Sequence, residues 1–558
     1  MKVLLIYPYP IEKRVYYPED IQVPPIGMYY IGALLVENGY EVEILNLCEE
    51  RDPVVIEKLL KEKKPDIIGF SVLNANRLGA VEIANIAKRI NPKVKVIFGG
   101  VGATFLYHHL LKNFDCIDYI VIGEGEYTFL ELIRSLESNE KDLSKIKGIA
   151  YKRNDEIIKT EEREFISNLN ELPIPSKYFK YRHLCSSRGC PWNCVFCGSP
   201  KLWKRRIRLR SPKNFVEEIE LLYKKGVNLF YFADDNLTID KKRTIEICRD
   251  ILERGLNISW YAISRVNYID EEILYWMRMA GCIQISYGVE SGSEKIRRRL
   301  NKPLKKQDIV RAFDLTKRYG ILPRAYFIYG CPGETWDTIN ETIDLIYEIK
   351  PLSCLFYILD IFPGTELYER IKMFLNEDIW LNRIEGIMYW ELDPHLDEQF
   401  ILKAGERLRN AFYKGLPEFV DSICLVDNKE LYSKHADFCS RLAMTFTHGD
   451  YSGIEAIPFK EQIAEKLYRM ALKYAPNLRA YLGLGIMMQK KKEFEESVKL
   501  LKEGIRHFPQ DEQLHICLGI SYMNLGKIGE AISCFQKFPF SEQAKNYLLE
   551  CKRLLNQI

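Results

Sequence analysis

The chain lacks several features that would assign it to a specialised class of protein. No stretch reaches about 18 consecutive apolar residues, and the amino terminus, MKVLLIYPYP, has neither a basic region nor a small-residue cleavage site. We therefore expect no membrane-spanning helix and no export signal. The formal net charge of +3 over 558 residues gives no general basic field for nucleic acid or anionic lipid. These absences predict a cytoplasmic protein that does not bind nucleic acid.

Grouped cysteines are also scarce. The 15 cysteines are mostly single, which without an export signal predicts reduced thiols rather than disulfides. Only Cys48 and Cys116 precede residue 180, and the cysteines beyond residue 400 are dispersed, so a second metal cluster held by an amino-terminal trio or a carboxy-terminal group is excluded. One group remains, in the segment CPWNCVFC: Cys190, Cys194 and Cys197.

The spacing of this group, C-x3-C-x2-C, indicates an iron–sulfur site. Three thiolates can bind three irons of a [4Fe–4S] cluster and leave the fourth iron open, whereas a cluster that only stores electrons normally takes four cysteines. An open iron can bind a ligand. The alternatives for the same residues are a zinc loop and three buried thiols that bind nothing.

From residue 183 to about residue 370 the sequence resembles the radical S-adenosylmethionine (SAM) superfamily. The resemblance implies that Cys190, Cys194 and Cys197 bind a [4Fe–4S] cluster whose open iron chelates SAM, and that one electron cleaves SAM to a 5′-deoxyadenosyl radical. It implies SAM contacts at Phe196, at Ala233, Asp234 and Asp235, at Arg265, and at Glu290 and Ser291. The A-D-D segment departs from the G-G-E-like segment of relatives, so the contribution of each side chain stays open. No catalytic residue is assigned.

The residues after the cysteines alternate strand-like and helical runs. Helical patterns at 212–226, 241–255 and 305–320 separate the strand-like runs, which are 228–236, 258–266, 283–291, 321–335 and 354–365. Repeated strand–helix units predict a TIM-like (β/α) barrel, closed or partial, with its active site at the carboxyl ends of the strands. The segment KLWKRRIRLR (201–210) holds six basic residues, and its role stays open.

Residues 1–147 carry a second α/β pattern. Short apolar runs at 2–8, 40–47, 66–72, 95–100 and 118–125 alternate with amphipathic stretches. They predict a five-stranded, doubly wound sheet of the flavodoxin (Rossmann-like) type, which binds ligands at the carboxyl ends of its strands. Glycines in the loops at those ends would let the backbone approach a ligand closely.

These loops resemble those of the cobalamin (B12)-binding domain that precedes many radical SAM domains: Ser71 and Leu73 match its S-x-L motif. The resemblance implies cobalamin contacts at Pro25, Gly27, Ser71, Leu73, Asn74, Gly99, Gly100, Gly123, Glu124 and Gly125. Alignment of a related D-x-H-x-x-G loop on Gly27 puts Gln22 at the aspartate and Pro24 at the histidine, and no histidine precedes His108. We therefore expect cobalamin without a protein imidazole ligand. The alternative is a ligand-free module kept for packing.

The rest of the chain divides into a linker, a connector and repeats. Residues 148–182 are polar and rich in proline, which predicts a linker strap before a radical SAM domain at 183–390. A helical connector is predicted at 391–455. In 456–558 the segment around Tyr481 aligns with that around Ile516 at an offset of 34 residues, which resembles the tetratricopeptide repeat (TPR). Such repeats form a groove for a protein or peptide partner, and the alternative is a plain helical cap.

The whole chain is thus predicted to be an α/β multidomain protein with an all-α carboxy-terminal region. The resemblance implies a cobalamin-dependent radical SAM enzyme that methylates an unactivated carbon, with one SAM charging cobalt and a second yielding the radical. An electron donor such as flavodoxin or ferredoxin is implied. The alternatives are a cyclisation or rearrangement with the same cofactors and without methyl transfer, and a TPR adaptor with a degenerate enzyme fold. No motif indicates the substrate.

Overall fold

A computed structural model describes residues 1–11, 23–138, 140, 142–376, 378–383 and 386–555. Gln22, at the aspartate position of the aligned cobalamin loop, lies outside these residues. An α/β domain, a partial barrel and a helical region follow one another along the chain. Within the described ranges, no helix combines the length and the apolarity needed to cross a bilayer.

The amino-terminal domain is one sheet with helices on both faces. Its strands are β1 (Lys2–Tyr7), β2 (Glu41–Asn46), β3 (Ile67–Ser71), β4 (Lys95–Gly99), β5 (Tyr119–Val121), β6 (Ile149–Arg153) and β7 (Glu156–Lys159). Its helices are α1 (Ile26–Glu37), α2 (Pro53–Lys63), α3 (Arg77–Ile90), α4 (Gly100–Asn113) and α5 (Glu126–Glu137). The strand order is β2-β1-β3-β4-β5-β6-β7, and the first five strands are parallel. The flavodoxin-like order 2-1-3-4-5 is therefore present.

The hairpin β6–β7 corrects the predicted linker, because residues 148–182 do not begin as a strap. Tyr151 of β6 pairs with Tyr119 of β5 in antiparallel register, which extends the sheet to seven strands. Asn154 and Asp155 connect β6 to β7 with φ angles of 50° and 65°, the left-handed conformation of a tight hairpin turn. The Asn154-Asp155 pair is a typical hairpin turn sequence and could have indicated the two strands. The polar composition of the surrounding residues favoured a linker instead.

The second region is a partial barrel of six parallel strands in the order β15-β14-β13-β12-β11-β8. Its strands are β8 (His183–Leu184), β11 (Leu229–Phe232), β12 (Ser259–Ser264), β13 (Cys282–Glu290), β14 (Leu322–Tyr329) and β15 (Ser353–Ile358). Its helices are α7 (Pro212–Lys224), α8 (Lys241–Glu253), α9 (Glu271–Met279), α10 (Glu294–Arg299), α11 (Lys306–Arg318) and α12 (Trp336–Ile349). In β14 buried residues alternate with partly exposed ones, and the buried set packs on the helices.

Smaller elements complete this region. The hairpin of β9 (Ser187–Arg188) and β10 (Arg208–Leu209) encloses the cysteine segment and α6 (Ser199–Leu202). A second small ladder and two short helices follow the barrel: β16 (Asp360–Ile361), β17 (Ile387–Met388), α13 (Glu366–Ile371) and α14 (Ile379–Asn382). One hydrophobic core contains side chains of both domains, among them Phe98 of β4 and Leu300 after α10. The two domains therefore pack directly on each other.

The carboxy-terminal region is helical, and the part of it that the structure describes after residue 391 contains no strand. Its helices are α15 (Glu398–Asp421), α16 (Tyr432–Thr447), α17 (Lys460–Tyr474), α18 (Leu478–Lys490), α19 (Phe494–His507), α20 (Glu512–Asn524), α21 (Ile528–Phe535) and α22 (Glu542–Leu555). The starts of α18 and α20 are 34 residues apart, as are those of α19 and α21. Gly485 packs on Leu501, and Gly519 packs on Phe535 in the same way.

This helical region joins the barrel at the amino ends of its strands. The Arg441 guanidinium donates to Ser259 Oγ, the first residue of β12, at 3.2 Å. The Tyr451 hydroxyl donates to the carbonyl oxygen of Leu352, just before β15, at 2.7 Å. The cysteine segment follows β8 at the opposite, carboxyl end. One helix of the region also reaches that end, because Ile401 of α15 lies 3.0 Å from a Cβ built on Gly330, directly after β14.

Candidate functional site

The three predicted cluster cysteines lie on one loop between β9 and α6. All three thiols are free; Cys194 is buried, and Cys190 and Cys197 are partly exposed. Burial, with smaller contributions from Asp235 and the neighbouring thiols, raises the pKa of Cys197 to about 12, and burial also raises that of Cys190. Because iron binds thiolates, cluster formation would displace these protons.

The donor set fits a cluster rather than a single ion. No group of three or more His, Cys, Asp or Glu side chains in the described part of the chain is arranged to hold one metal ion. A four-iron cluster needs no such convergence, because each thiolate binds a different iron. The loop backbone is held from two sides: Val195 N–H donates to the Leu300 carbonyl at 3.2 Å, and Leu367 N–H donates to the Val195 carbonyl at 3.0 Å.

Arg265, the predicted SAM contact after β12, lies against this loop. Its guanidinium is 4.0 Å from the centre of the Trp192 ring, and its Nη1 is 3.9 Å from Cys194 Sγ. Arg265 is buried, although a charged residue at a strand end is more often solvated. Phe196, also predicted to contact SAM, packs partly buried against the core that joins the two domains. The arrangement provides a fixed cation beside the cluster loop.

The residues of the A-D-D segment after β11 lie in two different environments. Ala233 and Asp235 line a cavity beside the cluster loop, and burial raises the pKa of Asp235 although Ser199 donates a hydrogen bond to it at 2.7 Å. Asp234 is buried, and its carboxylate accepts hydrogen bonds from Ser186 N–H at 3.2 Å and from the hydroxyls of Ser186 and Ser187. The Asp234 side chain therefore anchors the strand before the cysteines.

Glu290 and Ser291, the remaining predicted SAM contacts, end β13. Glu290 adopts a φ of 66°, is buried, and accepts a hydrogen bond at 2.5 Å from Lys302 Nζ, which is also buried. A side chain at Gly288 would overlap this pair, because its Cβ would lie 2.3 Å from Lys302 Nζ. Ser291 Oγ lies 3.2 Å from Oγ1 of Thr342, a buried residue of α12. Lys302 was not predicted, because a lysine in a polar segment gives no sign of burial.

The turn after β14, with the sequence G-C-P-G-E (330–334), is held by a buried carboxylate. Glu334 accepts hydrogen bonds from the backbone N–H groups of Gly330 and Cys331. Burial outweighs these bonds and raises the pKa of Glu334 from about 4.5 to about 7. Cys331 is fully buried in the core between the domains and is an inert thiol.

The raised pKa of Glu334 predicts a pH-dependent stability. The folded protein holds this proton more tightly than the unfolded chain, so stability is fully present below about pH 4.5 and falls as the pH rises to about 7. The total loss is on the order of 3 kcal/mol at 1.36 kcal/mol per unit. Glu334→Gln should flatten the dependence of the thermal midpoint between pH 5 and pH 8, while Glu341→Gln on an exposed part of α12 should not. Equal slopes in wild type and Glu334→Gln would contradict this.

A cavity of about 330 Å³ lies between the carboxyl edge of the first sheet and the barrel. Of the residues predicted to contact cobalamin, those that line it are Pro25, Gly27, Ser71, Gly99, Gly100, Gly123, Glu124 and Gly125. Its other wall comes from Cys185 after β8, from the cluster hairpin at Gly189 and Trp203, and from the segment after β11. No atom lies within 4 Å of a Cβ built on Gly27 or Gly123, so these backbones face open space. The cavity thus fits a ligand that reaches into both domains.

Leu73 and Asn74 are absent from the described lining of this cavity. Leu73 N–H donates to Asn76 Oδ1 at 2.7 Å, and the Asn74 carbonyl accepts from Arg77 at 2.6 Å. The loop after β3 is therefore fixed by its own side chains. No histidine occurs among the lining residues that the structure describes, so the expectation of cobalamin without an imidazole ligand stays a prediction.

Glu124 lines the cavity, but its carboxylate is bound elsewhere. Arg188 and Arg208 each donate to it at 2.7 Å, and Ile166 N–H donates at 2.8 Å. Burial opposes ionisation, but the hydrogen bonds and charges of the arginines outweigh it and lower the pKa of Glu124. Sequence reasoning missed Arg188 and left the role of the 201–210 run open. Within that run Arg208 is buried in this cluster, whereas Lys204 is exposed.

Comparison with known proteins gives the same two domains. The chain matches the Radical SAM superfamily over residues 184–346 and the B12 binding domain over residues 21–133. It is 35% identical over 382 residues to an uncharacterized methyltransferase of Pyrococcus horikoshii, covering 66% of this chain and 83% of that protein. It is 32% identical over 371 residues to the anaerobic magnesium-protoporphyrin IX monomethyl ester cyclase of Rubrivivax gelatinosus, covering 62% and 66% respectively.

Solved structures share the fold. The radical S-adenosylmethionine methyltransferase TsrM of Kitasatospora setae matches with a TM-score of 0.56 at 20% identity, over 66% of this chain and 75% of that chain. The cobalamin-dependent S-adenosylmethionine radical enzyme OxsB matches with a TM-score of 0.54 at 18% identity, over 99% and 83%. Taken with the cysteine loop, the cavity and the sequence relatives, these matches show that the chain belongs to the radical SAM superfamily, among the members that carry a B12 binding domain.

Proposed function

We propose that this chain is a cobalamin-dependent radical SAM methyltransferase that methylates an unactivated carbon. The observation that carries the proposal is the cavity shared by the two domains. Glycine loops of the B12 domain form one wall, and the cluster hairpin with Ala233 and Asp235 forms the other. A cavity of this composition would bring the two cofactors of the family next to each other.

The bound cofactors would supply the difficult chemistry, since SAM at the cluster yields a carbon radical and cobalamin carries a methyl group. The protein would bind and orient them. Cys190, Cys194 and Cys197 would hold the cluster through their thiolates. Arg265, buried beside Cys194, would donate a charge-assisted hydrogen bond to the SAM carboxylate. The buried ion pair between Glu290 and Lys302 would hold the chain in place at the end of β13.

Open backbone at Gly27 and Gly123 would admit cobalamin to the cavity. The core that joins the domains, with Phe98 and Leu300, would keep water from the space between the cofactors. Exclusion of water matters because a carbon radical must meet its substrate before side reactions occur. In this proposal the protein orients the cofactors and excludes water from the space between them. No side chain is assigned a proton transfer.

A second candidate function is a cyclisation or rearrangement with the same cofactors and without methyl transfer. The 32% identity to a magnesium-protoporphyrin IX monomethyl ester cyclase favours it. Among the sequence relatives, the Pyrococcus horikoshii protein at 35% identity and the cytidylyl-2-hydroxyethylphosphonate methyltransferase of Streptomyces wedmorensis at 27% carry methyltransferase names, which favours methylation. An adaptor with a degenerate enzyme fold is disfavoured by the three cysteines on one loop.

Counting the products of SAM tests the proposal. The enzyme with reconstituted cluster and cobalamin is incubated with a cell extract, a chemical reductant and methyl-labelled SAM, and labelled products are identified by mass spectrometry. Methylation requires S-adenosylhomocysteine and 5′-deoxyadenosine in about equal amounts, with the label in a new product. Formation of 5′-deoxyadenosine without S-adenosylhomocysteine would contradict methyl transfer and favour the second candidate.

For the carboxy-terminal helices we propose TPR-like repeats that recruit a protein or peptide partner. The 34-residue spacing of helix starts and the repeated Gly485–Leu501 and Gly519–Phe535 contacts support this. These helices follow α16, which contacts the barrel at the amino end of β12, so a partner bound to them would leave the cofactor cavity accessible. For the enzyme as a whole we also propose a cytoplasmic location and reduction of the cluster by flavodoxin or ferredoxin.

A further inference from the structure

A buried cluster of charges connects the B12 domain to the hairpin that carries the cluster cysteines. Glu124 and Glu126 come from the first domain, before and at the start of α5. Arg188 of β9 donates to Glu124 Oε1 at 2.7 Å and to Glu126 Oε1 at 2.6 Å. Arg208 of β10 donates to Glu124 Oε2 at 2.7 Å. Both strands of the hairpin are thus bound by carboxylates of the neighbouring domain.

The exposure of these side chains separates them from surface ion pairs. The Glu124 and Glu126 side chains are each 3% exposed, that of Arg188 is 12% exposed and that of Arg208 is 9% exposed. Surface pairs contribute little because solvent screens them, whereas loss of one member of a buried pair leaves a charge without compensation. The buried ion pairs therefore fix the positions of these four side chains relative to one another.

The same hairpin is also anchored to the barrel. Asp234 accepts hydrogen bonds from Ser187 of β9 and from the preceding Ser186, and the Arg243 guanidinium donates to the Ser186 carbonyl at 2.6 Å. Gly189, with φ of 94°, follows β9 and lies so close to β10 that a Cβ there would be 2.0 Å from the Arg206 carbonyl oxygen. Cys190 is the next residue. Its position is therefore fixed both by the ion pairs with the first domain and by the hydrogen bonds with the barrel.

Glu124 also belongs to the cavity wall. It lies between Gly123 and Gly125, and the three consecutive residues line the cavity that we assign to cobalamin. A ligand in contact with this loop would therefore act on the residue whose carboxylate holds Arg188 and Arg208. Through Arg188 the effect reaches the chain two residues before the first cluster cysteine.

We propose that Glu124 and Glu126 are positioning residues that fix the cluster loop relative to the cobalamin cavity and so couple the occupancy of the two sites. The proposal rests on the proposed function in that it takes cobalamin and SAM as the ligands. Cobalamin bound against the Gly123–Gly125 loop holds Glu124 in place, and through Arg188 and Arg208 it holds the hairpin in the position in which SAM binds. Coupling of this kind is reciprocal, so SAM also tightens cobalamin.

The experiment measures the SAM dissociation constant of the enzyme with reconstituted, oxidised cluster, which binds SAM without cleaving it. Equilibrium dialysis with labelled SAM is done with and without hydroxocobalamin. In the wild type, cobalamin should tighten SAM by at least about fivefold, within the usual range of coupling. Glu124→Gln should reduce that factor to about one in protein that retains its iron, measured at a hydroxocobalamin concentration that saturates the variant. Glu126→Gln, which leaves both Glu124 pairs, should give an intermediate factor and serves if Glu124→Gln does not fold.

The matched control is Glu162→Gln. Glu162 pairs with Lys204 of the same hairpin segment at 2.6 Å, but the side chains are 54% and 58% exposed. This variant should keep the wild-type factor. An unchanged factor in the folded Glu124 or Glu126 variants, or no coupling in a wild type that binds both ligands, would overturn the inference alone. A wild type that binds no cobalamin would overturn the proposed function as well.

Discussion

Substitution of Cys194 with alanine should abolish both the cluster and the cleavage of SAM. With all three thiols, anaerobic reconstitution should give about four irons per chain, and no second cysteine group is available to replace a lost ligand. Removal of one thiolate leaves a cluster held by two, and SAM has no iron to bind. We expect iron to fall below one per chain and 5′-deoxyadenosine to fall below detection. Iron analysis and chromatography of the reaction products measure these two quantities.

The control for this prediction is Cys424→Ala, since Cys424 is an exposed free thiol in the helical region, distant in sequence from the cluster loop. It should retain both the iron and the cleavage activity of the wild type. A Cys194→Ala protein that still forms 5′-deoxyadenosine would show that the cluster is held by other residues. Loss of activity with full iron content would instead indicate that Cys194 acts on SAM and not as a ligand.

Much of the fold was predictable because its signals are local. The apolar runs at 2–8 and 66–72 become β1 and β3, whose central residues are fully buried, and a buried parallel strand is recognisable by such a run. The order of strand and helix then restricts the topology to a doubly wound sheet and a barrel. The three cysteines were also predictable, because all of them lie on one loop within eight residues.

The charged network was not predictable, because its partners are distant in sequence and the sequence does not distinguish a buried charge from a solvated one. Glu124 and Arg208 are 84 residues apart and meet only when the two domains pack. Lys302 resembles any lysine of a polar segment, yet it is buried against Glu290. The resemblance implied a SAM contact at Asp234 and left the role of its side chain open, and the carboxylate binds the strand before the cysteines. The packing of the folded chain decides which of these charged side chains are buried and which partners they have.

Substitution of Gly27 with phenylalanine should prevent cobalamin binding while the chain still folds. Gly27 is the second residue of α1 and lines the cavity, and a Cβ built there meets no atom within 4 Å, so a side chain can start there without displacing a neighbour. A ring in a cavity of about 330 Å³ removes room that the cofactor needs. We expect the affinity for hydroxocobalamin to fall at least about tenfold, which corresponds to about 1.4 kcal/mol. Absorbance of protein-bound cobalamin after gel filtration measures the loss.

Gly529→Phe is the matched control, because Gly529 is likewise the second residue of a helix, α21, and its built Cβ also has no atom within 4 Å. It should bind cobalamin as the wild type does, which separates the effect of the cavity from the effect of placing phenylalanine at a helix start. The Gly27 variant should keep its iron and still cleave SAM, since the cluster loop is untouched. Wild-type cobalamin binding by the folded Gly27 variant would show that the cofactor does not occupy this cavity, and the glycine loops would then have another role.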